Sequence, residues 1–374
     1  MDLEYSESEI AFRKEARAWL ESSVPKVALP SGDTREGFAL HREWERKLFA
    51  ARWAVVSWPQ EYGGREASLT EWLIFEEEYY RAQAPQRIGQ NGIFLVAPTV
   101  FEFGTDEQKR RILPAMASAE EVWAQGWSEP NAGSDLASLR SLAVRDEARG
   151  GWLLSGQKTW CTRGAFCDRL FTLFRTDPKS ERHRGLTHFL VSLRAPGVTV
   201  RPVGRLDGDE GFAEVFFDNV FVADEDVLGA VNNGWNIAMA TAGSERGLTL
   251  RSPGRFLATA QRLIDLYRTH RKRDDEVVQA WMDAEAYQLY TLQTVTRMQD
   301  SIEIGAEASV NKIFWSEMDV RMHETALRLL GASAETDTAW MKSFQFALAG
   351  PIYAGTNEIQ RNVVAERLLG LPRK

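Results

Sequence analysis

The sequence predicts an α+β multidomain protein: an N-terminal helical domain, a middle β-barrel or sandwich, and a C-terminal helical bundle. Three observations predict it. Residues 1–121 space their apolar side chains as helices do, residues 122–232 break into short alternating runs divided by turns, and residues 233–374 return to helical spacing. A chain of 374 residues is also long for a single core, so several packed units are expected.

In the first segment, Ser6 and Glu9 have capping-box spacing, and Ile10, Phe12, Ala16, Trp19 and Leu20 follow on one helical face. Leu69–Arg81 reads as a second helix. Thr105–Met116 reads as a third, with Asp106 and Glu107 in its first turn, and Pro98 and Pro114 lie near helix ends. In the middle segment the strand candidates are Trp152-Leu153-Leu154 after a Gly150-Gly151 turn, Phe171–Phe174, His188–Leu193, Val198–Val203 and Ala213–Phe217. Turns are expected at Ala195-Pro196-Gly197 and Asp207-Gly208-Asp209. In the last segment, Leu257, Ala260, Leu263, Ile264 and Tyr267 form one apolar face, and Met322, Ala326, Leu329 and Leu330 form another, as in a bundle.

Composition narrows the function classes. The net charge of −8 argues against nucleic acid or an anionic membrane as the main partner. No apolar run approaches the length of a membrane span. The opening MDLEYSESEI lacks a basic and then apolar leader, so a cytoplasmic location is expected. Cys161 and Cys167 are the only cysteines and make neither a disulfide framework nor a zinc site. The 13 tryptophans hint at flat-ring contacts as well as core.

Two segments carry candidate chemistry. Gln125-Gly-Trp-Ser-Glu-Pro-Asn-Ala-Gly-Ser-Asp135 is an irregular loop, forced by Pro130 and Gly133, that offers hydroxyls and a carboxylate beside backbone N–H groups. It can bond a heterocycle edge and a phosphate, or simply be a capped turn that opens a strand. In Ser155-Gly-Gln-Lys-Thr-Trp-Cys-Thr-Arg-Gly164, strand alternation sends Trp160 and Thr162 to opposite faces unless the chain bends. A bend would lay the indole against an aromatic cofactor; without one, Trp160 is a core residue beside a surface threonine.

With the C-terminal stretch Ile352-Tyr-Ala-Gly-Thr-Asn-Glu-Ile-Gln-Arg-Asn-Val-Val-Ala-Glu-Arg-Leu-Leu-Gly370, these segments resemble, in order and spacing, the three signatures of the acyl-CoA dehydrogenase family. The resemblance spans nearly the whole chain and implies that family's fold, with a C-terminal four-helix bundle. It also implies an FAD cofactor, an acyl-CoA substrate, α,β-dehydrogenation to the trans-2-enoyl-CoA, a place in fatty-acid β-oxidation or lipid degradation, and an electron-transfer flavoprotein as acceptor. By position, Ser128 meets the flavin pyrimidine within a cofactor loop that includes Gln125, Trp127 and Gly133. Trp160 packs on the isoalloxazine and Thr162 approaches N5. Ser134 helps hold cofactor and acyl-CoA, and Gly355, Thr356 and Glu358 belong to the segment that meets FAD phosphates.

Many members place the base just before the Gly-Thr of the C-terminal signature. Ala354 stands there, and a methyl group takes no proton. The stretch from Gly234 to Arg246 resembles the helix from which other members, isovaleryl-CoA dehydrogenase among them, supply the base, which implies Glu245 as base with Arg246 beside the substrate. The backbone N–H of Ala354 would still reach the thioester oxygen. The family's cross-subunit phosphate arginine is matched only by Arg271 and Arg273, without the usual Phe-Gly, and the Leu330-Gly-Ala-Ser333 turn is reduced. A homodimer or homotetramer and an α2β2 heteromer with a related chain are therefore both open. Two other readings keep the fold: a flavin monooxygenase, oxidase or desulfinase, and an FAD-sharing partner subunit.

Overall fold

The computed structural model describes residues 4–372 apart from 245, 271–273, 301, 303 and 337. In chain order come helices α1 (Glu7–Ser23), α2 (Arg35–Ala50), α3 (Leu69–Arg81), α4 (Ala97–Phe103) and α5 (Asp106–Ala117). Strands β1 (Trp123–Gly126), β2 (Leu142–Asp146), β3 (Gly151–Lys158), β4 (Arg169–Arg175), β5 (Leu186–Ser192), β6 (Val198–Val203), β7 (Phe212–Ala223) and β8 (Val227–Leu228) follow. The chain ends with α6 (Gly234–Ser244), α7 (Arg246–His270), α8 (Asp275–Gln299), α9 (Glu307–Leu330), α10 (Ala339–Ala347) and α11 (Asn357–Val363). By contact the chain forms two compact units. One joins α1 and α3 to the helices from Leu248 onward; the other holds α2, α4, α5, all the strands and α6.

The capping box expected at Ser6 and Glu9 is present, and two more accompany it. Ser6 with Glu9, Ser68 with Glu71, and Thr105 with Gln108 close reciprocal capping boxes on α1, α3 and α5. Pro114 lies inside the last turn of α5 rather than beyond it.

In the strand-containing unit the sheet runs β6-β7-β3-β2-β4-β5-β8, with β1 added in parallel on β4. Leu154 of β3, Leu170 and Phe174 of β4, Phe189 and Val191 of β5, and Val215 and Phe217 of β7 share one buried cluster. The two halves of the sheet thus close on a common core, as a barrel or sandwich does. At the bulge between Leu154 and Gly156, Gly156 has φ +146°, and a Cβ there would lie 2.2 Å from Ser141 Oγ. Only glycine lets β2 come this close. Beneath α2, Glu45 and Arg87 form a fully buried pair with Nε–Oε2 of 2.8 Å, and Arg87 also donates to the Ala54 carbonyl at 2.7 Å.

In the helical unit, Phe256, Ala260 and Leu263 of α7, Ala284 and Tyr287 of α8, and Met318, Met322 and Ala326 of α9 form the core, with Trp340 of α10 packed against it. Leu73 of α3 packs on Val295 of α8. Glu78 of α3 is buried and receives hydrogen bonds from Arg17 at 2.7 Å, Arg81 at 2.7 Å and Arg13 at 3.1 Å. Burial opposes its ionisation, but the three guanidinium groups outweigh burial and hold the carboxyl down at about 2. A carboxyl whose folded pKa is depressed contributes stability that is present above its unfolded pKa and lost as pH falls toward the folded value. Acid titration of the fold should therefore show stability lost between about pH 4.5 and 2, and Glu78→Gln should flatten that limb in pH-dependent urea unfolding. An unchanged limb in the variant would contradict the assignment.

Candidate active site

In the strand-containing unit, the site is built where β1 ends. Beyond Gly126 the chain leaves the sheet, and Glu129 and Ala132 exchange backbone hydrogen bonds of 3.0 Å across a tight turn at Pro130-Asn131. The Glu129 carboxylate accepts from the backbone N–H of Arg140 at 2.7 Å and of Ser141 at 2.9 Å, and from Lys158 Nζ at 2.8 Å. Burial opposes its charge, but the Lys158 ammonium and these bonds hold the carboxyl below its usual range. Lys158 ends β3, is fully buried, and also donates to the Trp127 carbonyl at 3.3 Å. Ser128 is half-buried and its carbonyl accepts from the Thr159 N–H at 2.9 Å. Gln125 and Trp127 are half-buried, whereas Gly133 and Ser134 are exposed. The Trp127 indole nitrogen is buried and has no hydrogen-bond partner among the described residues.

Below this loop, His188 stacks on Phe171 at 4.5 Å and meets Trp127 edge-on at 5.5 Å. Burial first, and the Lys158 charge second, push its imidazole down to about 3, so it is neutral.

After Lys158 the chain bends. Trp160 takes φ +59° and Arg163 φ +54°. Between them Cys161 is buried and exchanges backbone hydrogen bonds of 3.0 Å with Ala213, while Arg163 pairs with Asp33 at 2.6 Å. The residues flanking Trp160 are fixed inward, whereas Trp160 is 60% exposed and meets the edge of Phe212 at 5.7 Å. Left-handed backbone costs a bulky residue roughly 1–2 kcal/mol. Such strain beside an outward flat ring fits a cofactor platform better than a core tryptophan. Thr162 is half-buried on the same bend. Cys161 and Cys167 are free, and burial pushes both thiols up to about 12, so neither is a nucleophile.

In the helical unit, the C-terminal signature forms a turn and then α11. Ala354 has φ +54° and Gly355 φ +80°. The Ala354 carbonyl accepts from Gln360 Nε2 at 3.3 Å, and its N–H makes no hydrogen bond among the described residues. Thr356 caps α11, accepting from the Ile359 N–H at 3.2 Å, and Glu358 is exposed in the first turn. Buried Asn357 anchors the turn through Lys312 Nζ at 2.7 Å and Ser316 Oγ at 3.1 Å. This leaves an exposed peptide N–H, in a fixed turn, able to donate to an oxyanion.

Glu245, Arg271 and Arg273 lie outside the described residues, as does the side chain of Arg246, which opens α7. Sequence reasoning missed Glu129, Lys158 and His188. The available signal was a charged residue, Lys158, closing a strand that begins with the apolar run Trp152-Leu153-Leu154. An outward indole beside a tied loop with hydroxyls and one orphan indole N–H suits a planar heterocycle with polar edges.

The sequence matches the acyl-CoA dehydrogenase N-terminal domain over residues 6–120, the middle domain over 124–220 and the C-terminal domain over 232–369. Acyl-CoA dehydrogenase IpdE1 of Mycobacterium tuberculosis is 37% identical over an aligned length of 380 residues, covering 97% of this chain and 98% of that protein. Among solved structures, the Tcur3481-Tcur3483 steroid ACAD shares 27% identity with a TM-score of 0.88, covering 100% of both chains. The ChsE4-ChsE5 complex from Mycobacterium tuberculosis shares 27% identity with a TM-score of 0.85, again over 100% of both chains.

Proposed function

The chain belongs to the acyl-CoA dehydrogenase family, and from that premise we propose that it is an FAD-dependent dehydrogenase that converts an acyl-CoA to its trans-2-enoyl-CoA. It is an oxidoreductase, and the family implies a flavin; FAD is the species proposed. The observation that carries the reading is Trp160, turned outward in left-handed backbone between two inward-fixed neighbours.

When bound, the flavin supplies the hydride acceptor, at N5, for the hydrogen that leaves the β-carbon. The chain's own residues do the rest. Trp160 supports the ring, Ser128 and Thr162 bond its edge, and Gln125, Trp127 and Gly133 complete the loop. Ser134 and Arg246 hold the acyl-CoA; Gly355, Thr356, Glu358, Arg271 and Arg273 serve the FAD phosphates. Glu245 takes the α-proton. The exposed Ala354 N–H donates to the thioester oxygen as negative charge gathers there.

The resemblance to a structure named as a steroid ACAD supports a bulky, ring-bearing acyl group as the substrate class. An electron-transfer flavoprotein is the proposed acceptor. The ChsE4-ChsE5 complex is a two-chain assembly, and it supports an α2β2 heteromer here over a homo-oligomer. No helix among the described residues is long and apolar enough to cross a membrane. The three-part division at 1–121, 122–232 and 233–374 remains our proposal for the domains.

The test is product mass. Incubated with a ring-bearing acyl-CoA and an artificial electron acceptor, the protein should yield a thioester lighter by two hydrogens. Unchanged substrate across branched, long-chain and ring-bearing acyl-CoAs would count against the reading.

A further inference from the structure

The loop bearing Ser128 and the strand end bearing Trp160 are tied together by a buried ion pair that the proposed reaction leaves idle. Lys158 Nζ lies 2.8 Å from Glu129 Oε1 and 3.3 Å from the Trp127 carbonyl oxygen. The same Glu129 carboxylate gathers the N–H groups of Arg140 and Ser141 where the chain enters β2. One residue further along each segment, Thr159 N–H donates to the Ser128 carbonyl at 2.9 Å. Lys158 is fully buried, and the Glu129 side chain is 10% exposed.

A buried pair of this kind is a poor way to gain stability, because desolvation of both charges consumes most of the attraction. It is a good way to fix geometry, because charge-assisted hydrogen bonds are short and directional. Both charges also sit within two residues of side chains assigned to the flavin: Glu129 follows Ser128, and Lys158 lies two residues before Trp160.

We propose that Lys158 and Glu129 are a positioning pair for the flavin: together they lock the Trp127–Ser128 peptides against Thr159–Trp160, and their opposed charges balance the field felt by the ring as it is reduced. The proposal rests on the flavin reading above. Reduction makes the ring electron-rich. Loss of Lys158 leaves an uncompensated carboxylate that disfavours the reduced ring, and loss of Glu129 leaves an uncompensated ammonium that favours it.

The experiment measures the flavin midpoint potential and dissociation constant in the full chain, for wild type, Lys158→Met, Glu129→Gln and the double variant. The expected result is a lower potential in Lys158→Met, a higher one in Glu129→Gln, and a potential near wild type in the double variant. The double variant should still hold flavin about tenfold more weakly, the order seen when a partner outside direct contact is removed. A merely structural role would weaken binding in every variant without opposed potential shifts. Shifts of the same sign in both single variants, or wild-type potential and affinity throughout, would overturn the proposal. Should one single variant fail to fold, the other decides by the sign of its shift: a lower potential in Lys158→Met or a higher one in Glu129→Gln supports the proposal, and no shift or the opposite sign overturns it. A wild-type chain that binds no flavin sinks the functional reading and this proposal with it. Wild-type flavin bleached by acyl-CoA, with unmoved variants, sinks this proposal alone.

Discussion

Glu245→Gln is expected to lower turnover by roughly 10²–10⁴-fold, the usual contribution of a positioned general base, while flavin stays bound. The size follows from what is missing elsewhere. With Ala354 in the signature position, that place offers no carboxylate to take over the α-proton, and the Ala354 N–H can donate to an oxyanion but accepts no proton. Because the amide matches the carboxylate in shape, substrate binding should change far less than the rate, so the loss should appear in kcat. Stopped-flow flavin bleaching in Glu245→Gln measures this step. A rate within a few-fold of wild type would remove Glu245 from the mechanism.

Arg87→Met is expected to destabilise the strand-containing unit by about 3–5 kcal/mol, because it leaves the Glu45 carboxylate buried without its charge partner. Both side chains of the pair are at most 2% exposed, so water cannot replace the guanidinium. The same substitution strips a donor from the Ala54 carbonyl. Gly89 N–H, 3.2 Å from Glu45 Oε1, is too little to compensate. Joint replacement, Glu45→Leu with Arg87→Met, should recover most of the loss, since a well-packed apolar pair often equals a buried ion pair. Urea unfolding of the two variants measures the contrast. A single variant as stable as wild type would contradict the account of this pair.

Where apolar spacing was undiluted, the elements were legible in the sequence. The helix at Leu69–Arg81 and the strand at Val198–Val203 fall where they are expected from the sequence. Helix α2 escaped because its buried face includes His41 and Glu45 among Phe38, Trp44 and Leu48, which blurs the apolar stripe. Strand β2 escaped because its pattern is inverted: Leu142 and Val144 are exposed while small Ala143 is buried. Strand β7 runs on past Phe217 through Asp218 and Asn219, a polar pair that reads as a turn; the chain accommodates it with φ +50° at Asn219.

Legibility of the candidate site followed the same logic. The motifs pointed to Ser128, Trp160 and Ala354 as candidates, and the bend required at Trp160 is present in the backbone. The grouping of α1 and α3 with the C-terminal helices was not legible, because it depends on long-range contacts such as Leu73 with Val295. The Lys158–Glu129 tie was hidden for a similar reason: the two residues lie in different motifs and meet only when the sheet forms.

In the proposed reaction an acyl thioester delivers two electrons to a flavin held by this chain. Anaerobic titration of the purified protein with a ring-bearing acyl-CoA, following flavin absorbance, tests it most directly. The wild type should bleach stoichiometrically, and Glu245→Gln should not bleach. Flavin that stays oxidised with every acyl-CoA class, yet turns over when oxygen and a separate reductant are supplied, would contradict it.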